Sequence, residues 1–147
     1  MNLDTLNWKI LKCLQENARQ SNAEIGRQVG ISSPAVSERI KKMEDAGVVV
    51  GYKTVVSPLD MGYQLKAMIT LHAFIGKLKP FLDKVKTYDE VLNCYRITGN
   101  ENIVMEVLLI NQKHLETFID QLIVYGETKT QIVLSHVIRY KEVKPVK

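Results

Sequence analysis

Cysteine is almost missing from this chain. Cys13 and Cys94 are the only two among 147 residues and lie far apart. That excludes a disulfide framework and the paired spacing of a zinc site, and it suits a reducing compartment. No apolar run approaches the ~20 residues that a membrane helix needs. The opening MNLDTLNWKI has no basic segment followed by an apolar one, so no secretory signal is expected and a cytoplasmic location is. Internal repeats and low-complexity segments are missing as well. No charge sign dominates: 20 Lys/Arg stand against 16 Asp/Glu, a net charge of +4. So mild an excess could suit nucleic acid, but neither half concentrates it. Residues 1–60 hold eight basic and seven acidic side chains, and residues 61–147 hold twelve and nine. Any nucleic-acid argument must rest on local placement. What the chain does have is 46% apolar residues, enough for a packed core in one medium domain or two small ones.

The period of those apolar residues changes along the chain. In the first part it is helical. Asp4 is a cap for a helix carrying Leu6, Ile10, Cys13 and Leu14 at steps of three and four, widened by Trp8 and Leu11. Ser21-Asn-Ala-Glu24 has the form of a capping box. It opens a short helix with Ile25 and Val29 on one face, closed by Gly30. Ser32 or Ser33 caps a third helix, with Pro34 in its first turn, where no intrahelical partner is lost. Val36, Ile40 and Met43 form its buried stripe, and Gly47 stops it.

From VVVGYKTVVSPLDMGY onward, β-branched residues, glycine and proline predict a short strand pair and a linker. The remainder predicts strand 65–74, helix 78–87, strand 91–98, a tight turn 99–102, strand 103–110, helix 112–125 capped by Asn111, and strand 129–138. That order, βαββαβ, is the ferredoxin-like split arrangement. Two helices cover one sheet face. The other, bearing either Ile69, Leu71, Val107 and Leu109 or the alternates Leu108 and Ile110, is apolar enough to need a second subunit as cover.

Two short capped helices joined through a glycine turn form a helix-turn-helix plan. The second helix of such a pair enters the DNA major groove, N-terminal residues nearest the base edges. With Val36, Ile40 and Met43 inward, the outward positions are Pro34, Ser37, Glu38, Lys41, Lys42 and Asp45, with Arg39 on the flank. Ser32, Ser33 and Ser37 are small enough to donate or accept at bases or phosphates. Arg39, Lys41 and Lys42 suit phosphate oxygens. Glu38 must accept from a cytosine amine or pair with Lys42 one turn on. The plainer alternative is a solvated amphipathic helix.

These residues carry a resemblance. From Leu3 to Tyr52 the chain is similar to the DNA-binding half of the leucine-responsive regulatory protein / asparagine-regulator (Lrp/AsnC) family of transcription regulators. It is carried by Leu3-Asp4, Asn7, Ile10-Leu11, Leu14-Gln15, Asn17, Arg19, Ser21, Glu24, Val29-Gly30, Ser32, Val36, Glu38-Arg39, Glu44 and Gly47. Residues 65–143 resemble the family's effector-sensing domain through Cys94-Tyr95-Arg96, Gly99 and the stretch 128–137. The resemblance implies a winged or plain helix-turn-helix, a β-strand linker, and sheet-to-sheet dimers assembling to octamers or other multiples. It also implies palindromic operators and an amino acid bound between dimers. One departure stands out. Where amino-acid sensors of the family have Gly-Asp-x-Asp-aromatic, this chain has Gly99-Asn100-Glu101-Asn102-Ile103. Both carboxylates have become amides, which bind an ammonium more weakly. The effector is then a different amino acid, another metabolite or none; alternatively 99–102 is only a β-turn.

Other polar residues carry less. His72 and His136 fall on strands that could lie near each other, but two histidines make a poor metal site. His114 is expected to be exposed, Asp89-Glu90 solvated, Cys13 a small hydrophobe and Cys94 unreactive. Tyr125 and Tyr140 suit core or rim positions, and KEVKPVK a solvated tail.

The reading is an α+β chain. Residues 1–51 form a winged-helix-like helix-turn-helix domain, 52–64 a linker strand, and 65–147 a ferredoxin-like dimerisation and effector-sensing domain. The expected function is a sequence-specific regulator of transcription that binds double-stranded DNA and is modulated by an amino acid or related small molecule bound at subunit interfaces, with no catalytic residue, metal or cofactor expected. Its DNA set is Ser32, Ser33, Pro34, Ser37, Glu38, Arg39, Lys41 and Lys42. Its effector set is Gly99, Asn100, Glu101 and Asn102. The rivals are an architectural DNA-bending protein with little sequence choice, and a metabolite-binding domain whose helices touch only protein.

Overall fold

The computed structural model describes residues 3–146. The chain divides into two compact units, Met1–Thr54 with Ile138–Lys147, and Val55–Val137.

Three helices build the first unit: α1 (Thr5–Glu16), α2 (Asn22–Val29) and α3 (Ser33–Asp45). Their ends are fixed by side chains meeting amides that a helix leaves unpaired. Asp4 Oδ1 accepts from the Asn7 amide at 2.7 Å. Ser21 and Glu24 close a reciprocal capping box, the Ser21 amide donating to Glu24 Oε2 at 2.7 Å and the Glu24 amide to Ser21 Oγ at 3.2 Å. Ser32, rather than Ser33, caps α3, its Oγ accepting from the Ala35 amide. Between α2 and α3 the chain turns at Gly30 (φ 83°), and the amides of Gly30 and Ile31 both return to the Gly26 carbonyl. Gly26 is the tightest point: a Cβ there would lie 2.5 Å from the Ile31 carbonyl oxygen. Ile10, Leu11, Cys13, Ile25, Val36 and Met43 form the core. Each fully buried aliphatic among them contributes roughly 1.5–3 kcal/mol.

The C-terminal segment returns to this unit. The Gln15 side-chain amide donates to the Val143 carbonyl at 3.2 Å, and its oxygen accepts from the Val143 amide at 2.8 Å. The tail is thus not merely solvated. By its contacts Ile138–Lys147 groups with the helices.

Within the single chain the expected strand pair and linker strand over 52–64 make no ladder. Residues 50–56 have no ladder partner, and 58–62 fold into turns through Ser57 and Pro58 carbonyls. β-Branched residues favour an extended backbone, but a strand needs a neighbour, and Val50, Val55 and Val56 stand exposed.

The second unit carries β1 (Leu65–Ala73), α4 (Leu78–Lys84) continued by a 3-10 turn (Val85–Thr87), β2 (Val91–Arg96), β3 (Ile103–Leu109), α5 (Gln112–Leu122) and β4 (Gly126–Ile132). The sheet is antiparallel in the order β2-β3-β1-β4, the expected ferredoxin-like arrangement. Ala67, Ile69, Leu71, Ile103, Met105, Val107 and Leu109 are fully buried with Phe81, Phe118 and Leu122. Tyr88 meets Phe118 edge-on at 5.3 Å, and Tyr125 packs on Phe81 at 5.5 Å.

The β1–β3 register, in which Lys66 faces Leu108, Met68 faces Glu106 and Thr70 faces Val104, gives these residues to the opposite face. Strand side chains alternate between faces. Of the two apolar sets read from sequence, Ile69, Leu71, Val107 and Leu109 face the helices. The open face is more polar than expected, because Lys66 and Glu106 form an ion pair there and Asn93 Nδ2 donates to Glu106 at 2.6 Å. β4 begins earlier than predicted and stops at Ile132 instead of 138. Its pairing with β1 runs from Ala73↔Gly126 to Ala67↔Ile132, after which one further bond, Val133 amide to Lys66 carbonyl, ends it. Gly126 allows that early start, since a Cβ would lie 2.2 Å from the His72 carbonyl oxygen.

Candidate nucleic-acid interface and ligand turn

The inward side of α3 is fixed by Val36 and Met43, both fully buried, and half-buried Ile40. That leaves Pro34, Ser37, Glu38, Lys41, Lys42, Glu44 and Asp45 exposed. Ser33 is half-buried, and Ser32 is engaged as the cap. Ser37 and Lys41, one turn apart, present a hydroxyl and an ammonium on the same strip. Lys41 makes no ion pair among the described residues. Lys42 does, with Nζ 2.6 Å from Glu38 Oε1. The bonded ammonium holds the Glu38 carboxyl below its usual range. Both members are well exposed, so the pair is screened and adds little stability.

Arg39 departs from its expected role. Its Nη1 lies 2.7 Å from Asp4 Oδ2 and donates to Asn7 Oδ1 at 2.9 Å. Asn7 is the buried polar side chain of this unit, at 4% exposure. The backbone amide of Asn7, and then Arg39, hold the Asp4 carboxyl below its usual range. Arg39 thereby joins α3 to the start of α1 through its Nη1. Its flank position was legible in the sequence; its partners, more than thirty residues upstream, were not.

In the second unit the turn 99–102 is tied down on several sides. Gly99 has φ 110°. The Asn102 amide donates to the Leu71 carbonyl at 3.1 Å and its carbonyl accepts from Ile97 at 2.9 Å. Asn102 Oδ1 accepts from the Ala73 amide at 2.8 Å. That amide oxygen already has one backbone donor. Glu101 Oε1 pairs with Lys129 at 2.5 Å, and His72 Nδ1 donates to the Asn100 carbonyl. The Lys129 hydrogen bond lowers the Glu101 carboxyl and raises the lysine. Asn100 and Gly99 remain open to solvent.

Among the histidines, His136 lies past the end of β4 rather than on a strand beside His72. No group of three or more possible metal ligands occurs among the described residues. His114 is not bare: Nδ1 accepts from the Ile110 amide at 3.2 Å and Nε2 lies 3.0 Å from Glu90 Oε1. Glu90 is accordingly bonded rather than simply solvated.

A capped helix pair with an exposed polar strip, followed by a ferredoxin-like unit, defines a DNA-binding transcription regulator carrying a ligand-binding domain. Residues 3–50 match the family described as winged helix-turn-helix DNA-binding, and residues 66–143 the Lrp/AsnC ligand binding domain. The chain belongs to the Lrp/AsnC family of transcription regulators. An HTH-type transcriptional regulator of Methanocaldococcus jannaschii is 33% identical over 80% of this chain and 79% of its own length. The HTH-type transcriptional regulator LrpB of Bacillus subtilis is 29% identical over 95% of this chain and 94% of its own. Among solved structures, AsnC of E. coli is 30% identical with a TM-score of 0.87, covering 99% of this chain and all of that one. A transcriptional regulator of Neisseria meningitidis, solved as its L-Met complex, is 26% identical with a TM-score of 0.89 over 94% of both chains. No helix among the described residues is long and apolar enough to cross a membrane.

Proposed function

We propose that this regulator reads double-stranded DNA through the exposed side of α3, with Pro34 and Ser37 nearest the base edges and Lys41 on a phosphate. Lys42, once released from Glu38, is a second phosphate contact. Ser32 and Ser33 serve the interface through the cap and the first turn. The observation that carries this is the division of α3: Val36 and Met43 are sealed in the core while Ser37 and Lys41 remain in solvent.

Two copies act together, joined through the open sheet face where Met68, Val104 and Leu108 surround the Lys66–Glu106 pair. Such a dimer sets two recognition helices about 34 Å apart or a multiple of it, and dimers associate further. The protein works in the cytoplasm. Its activity responds to an amino acid or related small molecule at Gly99–Asn102, where the Gly99 and Asn100 amides meet a carboxylate. The likeness to the Neisseria regulator bound to L-Met supports an effector of that kind.

A gel shift of the full chain against genomic fragments, with and without single amino acids, tests the reading. Retardation of a few fragments at least ~1,000-fold more tightly than random DNA is expected, with an amino acid altering it. Equal retardation of all fragments supports the architectural rival, and none at low salt removes the DNA-binding role.

A further inference from the structure

We propose that Tyr52 is a positioning residue that folds the chain leaving α3 back along the recognition helix, so that Lys53 contacts the DNA backbone as a one-lysine wing. The proposal rests on the DNA-binding reading of α3 and adds a contact outside that helix.

Three observations converge. The chain reverses at once after α3: Gly47 has φ 68°, and the amides of Val48 and Val49 both return to the Met43 carbonyl, at 2.8 and 3.1 Å. Val48 and Val49 then pack against the helical core, while Val50 stands free. Next, the Tyr52 hydroxyl donates to Glu44 Oε1 at 2.8 Å. Glu44 follows Ser37 and Lys41 at the seventh and third residue, so the three share one strip of the helix surface. The bond therefore lays residue 52 against the strip assigned to DNA and not against the flank held by Arg39. Finally, Lys53 is exposed and makes no ion pair among the described residues.

Electrostatics fits this arrangement. A bare Glu44 carboxylate on a strip facing phosphates would repel them, and a phenol hydrogen bond with a lysine next along the chain tempers it. Partial burial, then the bond to Glu44, pushes the Tyr52 phenol up to about 12. It stays protonated, and a donor, throughout the workable pH range. Tyr52 as a whole residue is 53% exposed. Its contact with α3 is thus a single polar latch and not core packing.

The test needs no operator, because phosphate contacts alone set the salt dependence of non-specific binding. Binding of the full chain to a fluorescein-labelled mixed-sequence DNA duplex is measured over a salt series, with thermal melts as the folding control. Lys53→Ala is expected to lower the slope of log K against log salt by about one. Tyr52→Phe is expected to lower it equally, and the double variant no further. If Tyr52→Phe does not fold, Glu44→Ala breaks the same bond from the helix side; it too removes the Lys53 contribution, so adding Lys53→Ala changes nothing. A wild-type slope in folded Tyr52→Phe, with a lowered one in Lys53→Ala, overturns the positioning role. A wild-type slope in Lys53→Ala, with a lowered one in Lys41→Ala, overturns the contact while leaving DNA binding by α3 intact. Failure of the wild type to bind the duplex at low salt overturns the underlying DNA-binding reading.

Discussion

Arg39 Nη1 sits 2.7 Å from Asp4 Oδ2 and 2.9 Å from Asn7 Oδ1, so one guanidinium satisfies both the cap of α1 and the buried amide beside it. Both bonds come from one nitrogen and tie α3 to the start of α1. A helix that reads base edges must present the same side chains each time.

Replacing Arg39 should show this. Arg39→Ala leaves the Asn7 carbonyl without its donor in a buried site, at a cost of about 1–3 kcal/mol. Arg39→Lys should recover part of the loss, since both bonds come from one nitrogen. Urea unfolding of the full chain measures the loss, and the DNA salt slope should stay at its wild-type value. A slope lowered by one unit in a folded variant would return Arg39 to the phosphate contacts.

Gly26→Ala should destabilise the first unit and leave the second intact. The added methyl carbon would lie 2.5 Å from the Ile31 carbonyl oxygen, and that carbonyl belongs to backbone with little room to move. Overpacking of this kind costs typically 1–3 kcal/mol. Hydrogen exchange, which resolves the units separately, should show faster exchange in α2 and α3 and unchanged protection in β1 and β3.

Lys41 and Ser37 should separate affinity from preference. Lys41→Ala is expected to weaken binding to every sequence and lower the salt slope by about one. Ser37→Ala is expected to change which fragments are retained, at an unchanged slope. Both residues are exposed, so neither substitution should shift the melting temperature appreciably. A Ser37→Ala variant with an unaltered fragment profile would remove that residue from base reading.

Acid should loosen the open sheet face through Glu106. The Lys66 ammonium beside it, and Asn93 further along, hold its carboxyl below the usual range despite partial burial. A depressed native pKa means that its stabilisation is fully present above the ordinary glutamate value. It fades as pH falls through the lower native one. Between about pH 6 and pH 3 the wild type should therefore lose stability that Glu106→Gln does not. Equal acid slopes for the two proteins would place the sensitivity elsewhere.

Much of this architecture was legible because its signals are local. The Asp4 cap, the Ser21–Glu24 box and Gly30 each act within a few residues, and all three behave as their chemistry dictates. The βαββαβ order followed from changes of period. Where the sequence was ambiguous, the ambiguity was physical. Val107, Leu108, Leu109 and Ile110 are apolar at both parities, so only the register with β1 decides which set meets the helices. The apolar alternation beyond Ile132 promised more strand than β1 could pair. The pairings of Arg39 with Asp4, Asn102 with Ala73, and Gln15 with Val143 join residues distant in sequence, and no spacing rule announces them. They bear on the candidate sites most: one engages Nη1 of Arg39, another gives the Asn102 side-chain oxygen a backbone donor.

The hold of Gln15 on Val143 also bears on how the molecule can be dissected. Because Ile138–Lys147 groups with the helices, the polypeptide leaves the DNA-binding unit after Thr54 and re-enters it after Val137. The ligand-binding unit is an insertion flanked by two crossings, and cutting one leaves the other as a tether. A shortened version ending at Thr54 strips the glutamine of its clasp.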